Sequence, residues 1–315
     1  MFEQKAIESV SILIVLIFLG MFLRKAGLFK DQDSGLFVSI ITKITLPALI
    51  IHSLSTTEFS FDKLLIALVM IISIVLCALI VWGLGSLFKL SRARQGGIIL
   101  ASSFPSSAFL GYALVEEMFA GNEEAIADAA IASELGVGLM LFTFGVFIAI
   151  HFGNQPHSKG LLKKEMLKFL YSPIFISILL GIGFSFISLP KHNVMVEGFY
   201  KTLQIVSNAN TFLVALTVGV MLHFKHLKNI LGLLLIVILL KLFLQPVFSY
   251  LQALWFQMDE LSHRILVLES AMPTAAMTAV FARKYGDDAE LTSIVVFASF
   301  LTSCISMIMM LFVLN

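Results

Sequence analysis

The stretch ASSFPSSAFLG, from Ala101 to Gly111, decides the fold, because it places Pro105 among small residues inside a long apolar segment. A similar stretch, ESAMPTAAMTA from Glu269 to Ala279, carries Pro273 at the matching position in the second half of the chain. A proline within a helix leaves one backbone carbonyl without its donor. In lipid that carbonyl must be satisfied by other protein groups or by a water-filled cavity. Two matched breaks therefore predict a transporter binding site.

The composition is that of a polytopic membrane protein with an all-α fold. Of the 315 residues, 59% are hydrophobic and only 13% are charged, whereas a soluble domain carries roughly a quarter charged residues. The mean hydropathy is +0.98. Because about 20 apolar residues suffice to cross a bilayer, we predict ten transmembrane spans. They are Ala6–Leu23, Leu36–Leu54, Leu64–Phe88, Gly97–Phe119, Ala125–Phe152, Leu167–Leu189, Val194–Leu222, Ile230–Phe256, Ile265–Phe281 and Leu291–Leu314.

The ten spans divide into two five-helix repeats, residues 1–156 and 157–315. Five is an odd number, so a repeated half must lie inverted in the membrane. The turn FAGNEEA (Phe119–Ala125) of the first half resembles KYGDDAE (Lys284–Glu290) of the second. Each has a glycine, then an Asn or Asp able to cap a helix, then acids in the first helical turn. In the second turn, Asp287 has the spacing of a capping box.

The basic residues predict the orientation, because Lys and Arg concentrate in cytoplasmic loops. Most of the 21 basic residues lie in loops that follow odd-numbered spans. We therefore predict that these loops are cytoplasmic and that both termini lie outside, in the periplasm of a bacterial inner membrane. The basic residues of these loops are Arg24, Lys25, Lys30, Lys89, Arg92, Arg94, Lys159, Lys163, Lys164, Lys168, Lys225, Lys228, Arg283 and Lys284.

Three motifs resemble the auxin efflux carrier family, which includes bacterial malonate-type carriers and the plant PIN auxin exporters. They are KITLPALIIHSL (Lys43–Leu54), SSAFLGYALVEEMFAG (Ser106–Gly121) and AMPTAAMTAVFARKYGDDAELTS (Ala271–Ser293). They resemble the family's second, fourth and ninth helices. One departure is Ser106, which stands where the family usually has Asn, so a single hydroxyl replaces an amide.

The resemblance implies a fold similar to sodium/bile-acid symporters and sodium/proton antiporters. In that fold, helices four and nine are interrupted and cross near the middle of the bilayer. Helices 1, 2, 6 and 7 would form a scaffold, and helices 3–5 and 8–10 a transport domain that moves like an elevator. The resemblance also implies a homodimer formed through the scaffold. The expected substrate is a small organic anion, a mono- or dicarboxylate of the auxin or malonate type.

The predicted substrate site lies where the two broken helices cross. Half-helix N-termini present unpaired N–H groups and a partial positive charge, which suits an anion. We expect these donors from Thr274, Ala275 and Ala276 on one helix and from Ser106, Ser107 and Ala108 on the other. The alternative is that the small residues only permit close helix packing. The candidate substrate-binding residues are Ser103, Pro105, Ser106, Ser107, Pro273, Thr274, Ala275, Lys43, Asn208 and Asn210.

Ionisable residues within spans are candidates for function, because they are costly in lipid. Lys43 lies about 10 Å of helix rise into its span, where it either meets the anion or extends its amine to the interface. Glu269 is a candidate proton or cation carrier; its structural alternative is a pairing with Lys241. Glu134 is likewise a candidate proton or cation carrier; its structural alternative is a buried hydrogen bond to a neighbouring helix. Coupling by H⁺, coupling by Na⁺ and uncoupled transport all remain open.

Other classes of protein are less well supported by the sequence. There is no HExxH, CxxC, GxSxG, Walker or Rossmann motif, so we predict neither an enzyme nor a metal or cofactor site. The chain has no basic domain for nucleic acid; its partners are its substrate, coupling ions and membrane lipid. One alternative is a cation/proton antiporter on a related crossed-helix fold. A second is a membrane receptor or enzyme.

The role of Lys43 can be tested by replacing it with Ala. If its ammonium meets the substrate, Lys43→Ala should weaken anion binding by about tenfold, the loss expected for one charged hydrogen bond. The measurement is the anion concentration that gives half-maximal transport. Lys201→Ala, near the outer end of its span, is the matched control. Unchanged binding in Lys43→Ala would make Lys43 an interfacial anchor only.

Overall fold

The fold is all-helical throughout the part of the chain that the structure describes. This computed structural model describes residues 2–30, 33–155, 160–187, 194–221 and 231–313. The helices are α1 (Phe2–Lys25), α2 (Ser34–Thr56), α3 (Leu64–Leu87), α4 (Arg92–Ser103), α5 (Tyr112–Met118), α6 (Glu123–Phe152), α7 (Leu161–Leu170), α8 (Pro173–Phe186), α9 (Val194–Ser207), α10 (Asn210–Met221), α11 (Leu231–Leu239), α12 (Gln245–Trp255), α13 (Glu260–Ser270), α14 (Ala276–Tyr285) and α15 (Ala289–Val313).

Six helical segments of the described chain are long and apolar enough to cross a membrane, or seven if the α7–α8 pair, bent by 49°, is one span. The six are Ile7–Lys25, Ser34–Thr56, Phe61–Leu87, Glu123–Phe152, Val194–Met221 and Leu234–Trp255. The predicted class, an all-α polytopic membrane protein, is confirmed. The predicted fourth and ninth spans are each divided between two short helices, so the count of ten and the two-repeat division stay predictions.

The predicted orientation also stays a prediction. Three of the basic residues on which it depends, Lys159, Lys225 and Lys228, lie outside the described residues.

Helix pairs on one side of the molecule pack through small residues. Helix α1 packs against α10, and α2 packs against α8. Gly20 and Gly219 make the first contact possible, because a Cβ added to either one would overlap the backbone of the facing helix. Such small-residue contacts are a usual way for membrane helices to approach closely.

Several helices widen into π-helical turns, and two of these turns precede a proline. In α2 the turn covers Ile41–Thr45, just before Pro47. Between α11 and α12 it covers Leu240–Leu244, just before Pro246. Each proline cannot donate to the carbonyl four residues earlier, and a wider turn accommodates the missing bond. Such π-helical turns are frequent at functional sites.

The two turns that resemble each other in sequence both start helices. In the second of them the capping residue differs from the predicted one. Asn122 accepts a hydrogen bond from the Ala125 N–H at 3.2 Å and begins α6, as the sequence suggests. Before α15, however, the cap is Asp288, whose Oδ1 accepts from the Leu291 N–H at 3.0 Å. The predicted cap at Asp287 is wrong by one residue. Gly286, with φ of 87°, ends α14 two residues before this cap.

Asp287 is instead a buried carboxylate outside the membrane spans. It is 7% exposed, and neither of its side-chain oxygens has a hydrogen-bond partner among the described residues. Its Oδ1 lies so close to Gly96 of α4 that a Cβ at Gly96 would overlap it. Burial raises the pKa of the Asp287 carboxyl to about 8.

This carboxyl should make stability depend on pH. Its pKa is raised on folding, so the folded state retains a proton that the unfolded state releases between about pH 4 and the folded pKa. The stability contribution is therefore complete at low pH and is lost as the pH rises through that window. Asp287→Asn should remove this loss and be more stable than the parent protein at pH 8. Thermal unfolding in detergent from pH 5 to 9 measures it, with exposed Asp62→Asn as control. Parallel curves for the parent and Asp287→Asn would refute the assignment.

Candidate functional site

Two short extended segments lie between helix pairs α4–α5 and α13–α14. Helix α4 ends at Ser103, and α13 ends at Ser270. The chain then runs through Pro105 or Pro273 and begins a new helical segment, at the π-helical turn Ser107–Gly111 or at α14. The break follows from the prolines and from the small residues around them, which let two backbones approach each other.

The two extended segments cross antiparallel, and each provides hydrogen-bond partners for the backbone of the other. Pro105 and Thr274 form an isolated β-bridge. The Ser106 N–H donates to the Pro273 carbonyl at 2.7 Å, and the Ala275 N–H donates to the Phe104 carbonyl at 2.9 Å. Backbone groups freed by each break are therefore bonded to the other break, as an apolar surrounding requires.

The side chain and amide of Thr274 add two further bonds at the crossing. Its hydroxyl donates to the Ala101 carbonyl at 2.7 Å, and its N–H donates to the Ser299 hydroxyl at 3.1 Å. Three of the amides expected to face the substrate, those of Ser106, Thr274 and Ala275, are thus used by the crossing itself. The amides at the start of the helical segments that follow the two breaks lie one or two residues later along each segment.

Those next residues are more open. Ala276 and Met277, at the start of α14, are exposed, and Ala108 is half-buried. Ser106 is half-buried, whereas Ser103 and Ser107 are buried, as are both prolines. A ligand at this place would therefore contact helix N-termini and short side chains.

The predicted residues on α2 and near α10 lie in different surroundings. Asn210 is fully buried, and its Oδ1 accepts a hydrogen bond from the Thr45 hydroxyl of α2 at 3.0 Å. Helix α10 also contacts α5 and the Ser107–Gly111 turn, so Asn210 lies on an element beside the crossing. Asn208, in the turn between α9 and α10, is exposed. Lys43 is exposed too, and no hydrogen bond or ion pair joins it to the described chain.

Two buried carboxyl groups lie next to the crossing. Glu134 of α6 is 3% exposed, and Glu269 of α13 is fully buried. The two interact electrostatically, and neither forms an ion pair with a basic side chain of the described chain. Burying two uncompensated negative charges together is very costly. This pair is therefore suited to hold a proton or a cation.

Small and hydroxyl residues surround this acid pair. Ser133 lies 3.2 Å from Glu134 Oε1 and 3.0 Å from the Ser107 hydroxyl. The buried Tyr112 hydroxyl lies beside Glu134. Both Glu269 oxygens lack a partner among the described residues and lie against Gly111, where any Cβ would overlap them. Any larger residue at this position would require the Glu269 carboxylate to move.

The structural alternative predicted for Glu269, a pairing with Lys241, is wrong. The amine of Lys241 does not pair with the Glu269 carboxylate but donates to the next residue's backbone, the Ser270 carbonyl, at 2.9 Å. It also donates to Gln245 Oε1 at 2.6 Å. Sequence reasoning missed Gln245, although its position four residues after a lysine in an apolar run was a usable indication.

Sequence reasoning also missed a buried polar link on α6. Asp128 is fully buried and accepts hydrogen bonds from the Lys63 amine at 2.6 Å and from the Ser262 hydroxyl of α13 at 2.7 Å. A nearby contact on α10 joins the Thr211 hydroxyl to Glu116 Oε2 at 2.7 Å. These bonds connect the elements that carry the crossing to their neighbours.

Comparison with known proteins places the chain in a family. The family described as Membrane transport protein matches residues 5–311. An uncharacterized transporter of Methanocaldococcus jannaschii is 29% identical over 92% of each chain. An uncharacterized transporter of Methanothermobacter thermautotrophicus is 26% identical over 95% of each. The uncharacterized transporter YfdV of Escherichia coli is 21% identical over 87% of this chain and 86% of its own. The chain therefore belongs to the Membrane transport protein family, that of the auxin efflux carriers which its motifs resemble.

Proposed function

We propose that this membrane transport protein is a secondary transporter of a small organic anion, a mono- or dicarboxylate of the auxin or malonate type. The observation that carries the proposal is the antiparallel crossing, in which the Ser106 N–H bonds to Pro273 and the Ala275 N–H bonds to Phe104. Broken helices that meet inside a membrane protein form the substrate sites of many secondary transporters. The family and its relatives are transporters, which points away from an enzyme.

The charge of the anion is compensated mainly by the N-termini of the helical segments that follow the two breaks. The positive ends of α14 and of the Ser107–Gly111 turn with α5 both begin at the crossing. Each helix N-terminus carries roughly half an elementary charge, and its free amides suit a carboxylate. Short side chains at Ser106 and Ala276 let the anion approach the backbone. Lys43 and Asn208, both exposed, contribute from α2 and from the turn before α10 when the substrate is bound.

The transport step is an elevator-type movement in this proposal. The ten spans form two inverted repeats, with spans 3–5 and 8–10 moving against a scaffold of spans 1, 2, 6 and 7. The close packing of α1 on α10 and of α2 on α8 supports a rigid scaffold. The protein lies in a bacterial inner membrane with both termini outside, and it dimerises through the scaffold.

The acid pair supplies the coupling. Glu134 and Glu269 lie on α6 and α13, beside the crossing and without a basic partner among the described residues. Binding of a proton or of Na⁺ to this pair compensates its charge and accompanies the movement of the anion. The same observation favours a second candidate, a cation/proton antiporter, in which the acids are indispensable and no organic anion moves.

Charge movement in proteoliposomes tests the proposal and separates the two candidates. The protein is exposed rapidly to a panel of small carboxylates, with and without Na⁺ and at two pH values. A current that depends on one carboxylate supports the anion transporter. A response to Na⁺ or pH steps alone, with every carboxylate silent, supports the antiporter and contradicts the anion transporter.

Replacing Pro273 tests whether the break is part of the mechanism. Pro273→Ala lets the segment re-form helical hydrogen bonds, which removes the Pro273 carbonyl from the Ser106 N–H. The anion current should fall about tenfold or more, as misplacement of binding groups does in other sites, with little loss of expression. Pro173→Ala, at the start of α8 and away from the crossing, is the matched control. An unchanged current would remove the broken helix from the mechanism.

Replacing Glu269 tests the coupling. Glu269→Gln keeps the shape of the side chain but removes its ability to bind a proton or cation. The ion dependence of the anion current should disappear, while the anion itself still binds. The measurement is the current at two pH values and two Na⁺ concentrations, with Glu117→Gln as control. Retained ion dependence in Glu269→Gln would exclude this carboxyl from coupling.

A further inference from the structure

A buried lysine lies behind the crossing, on the side away from the half-helix N-termini. Lys241 is in the π-helical turn between α11 and α12 and is fully buried. Its amine donates to Gln245 Oε1 at 2.6 Å and to the Ser270 carbonyl at 2.9 Å. Gln245, also fully buried, donates from Nε2 to the Ser103 carbonyl at 3.0 Å.

The two carbonyls lie at the C-terminal ends of the two helices that precede the breaks. Ser103 is the last residue of α4, and Ser270 is the last residue of α13. The final carbonyls of a helix have no partner within it, and each helix C-terminus carries roughly half a negative elementary charge. Two such ends facing each other sum to about one negative charge, which one ammonium group neutralises.

No acid in the described part of the chain forms an ion pair with this lysine. Both Glu269 oxygens lack a partner among the described residues, although Glu269 directly precedes Ser270. The titratable side chain that faces Lys241 from α3 is Cys77. One side-chain amide oxygen and one backbone carbonyl thus accept from the amine, and carbonyls at helix ends are ligands that coordinate Na⁺ in cation-coupled transporters.

We propose that the Lys241 ammonium is a built-in cation of the crossing, which occupies the place of a bound Na⁺ and, through Gln245, holds the C-terminal ends of α4 and α13 together. Lys241 and Gln245 are positioning residues for the broken helices. The inference rests on the proposed function only for its transport readout, since the helix ends need neutralising whatever the substrate is. It leaves Glu134 and Glu269 as the place where a coupling ion binds.

The proposal predicts that an emptied lysine site accepts a cation from solution. Lys241→Ala removes the amine and leaves space, whereas Lys241→Met removes the charge but fills the space. Both should lower the thermal stability of the purified protein and reduce transport by about tenfold or more, because buried oxygens lose their donor. Methylammonium or Na⁺ at millimolar concentration should restore the stability and transport of Lys241→Ala but not those of Lys241→Met. Choline, which is too large for the site, should restore neither variant.

Several outcomes would overturn the proposal. They are wild-type behaviour of Lys241→Met, equal restoration of both variants, and no response of Lys241→Ala to either cation. The thermal measurement needs no substrate, so it stands even if no carboxylate is transported. If Lys241→Ala does not fold, Gln245→Ala is the second variant. It removes the link to Ser103 and one acceptor of the Lys241 amine, and it should reduce stability and transport, with Gln252→Ala on the same helix as control. Wild-type stability of Gln245→Ala would contradict the positioning role.

Discussion

The structure depends on two backbone hydrogen bonds between segments far apart in sequence. The Ser106 N–H bonds to the Pro273 carbonyl, and the Ala275 N–H bonds to the Phe104 carbonyl. In an apolar interior an unpaired backbone group costs several kcal/mol, so each break is stabilised by the other. This mutual stabilisation explains why the two proline segments occur together in one chain and why they lie antiparallel.

The remaining polar groups near the crossing are arranged by the same constraint. On one side the half-helices begin, and their positive ends face away from Lys241. On the other side the half-helices end, and Lys241 with Gln245 satisfies the Ser270 and Ser103 carbonyls. The acid pair Glu134 and Glu269 lies beside the crossing, and Gly111 permits its close approach. Each group is costly to bury alone, and the fold gives most of them a defined partner.

The sequence was a good guide to local features and a poorer guide to partners. The breaks at Pro105 and Pro273, and the Asn122 cap, could be predicted because each depends on a few neighbouring residues. The Asp287 cap was placed one residue early, because the cap directly follows the left-handed glycine in the first turn, at Gly121 and Asn122, but comes one residue later in the second, at Asp288. Glu269 was matched with Lys241 on charge alone. In the structure the lysine contacts a neutral backbone carbonyl. The sequence could not predict this partner, because a pattern of residue types does not show where helix-end carbonyls lie.

The sequence by itself determined that this protein is a helical membrane protein of a transporter family, with one proline break in each half. Hydrophobic length and proline position suffice for that, since both act within a single segment. Only the tertiary structure decided which amides the crossing uses, which acids lie together with no basic partner among the described residues, and where Lys241 places its amine. Those outcomes depend on how segments more than a hundred residues apart approach each other, and that approach is set by packing and by the need to pair every buried polar group.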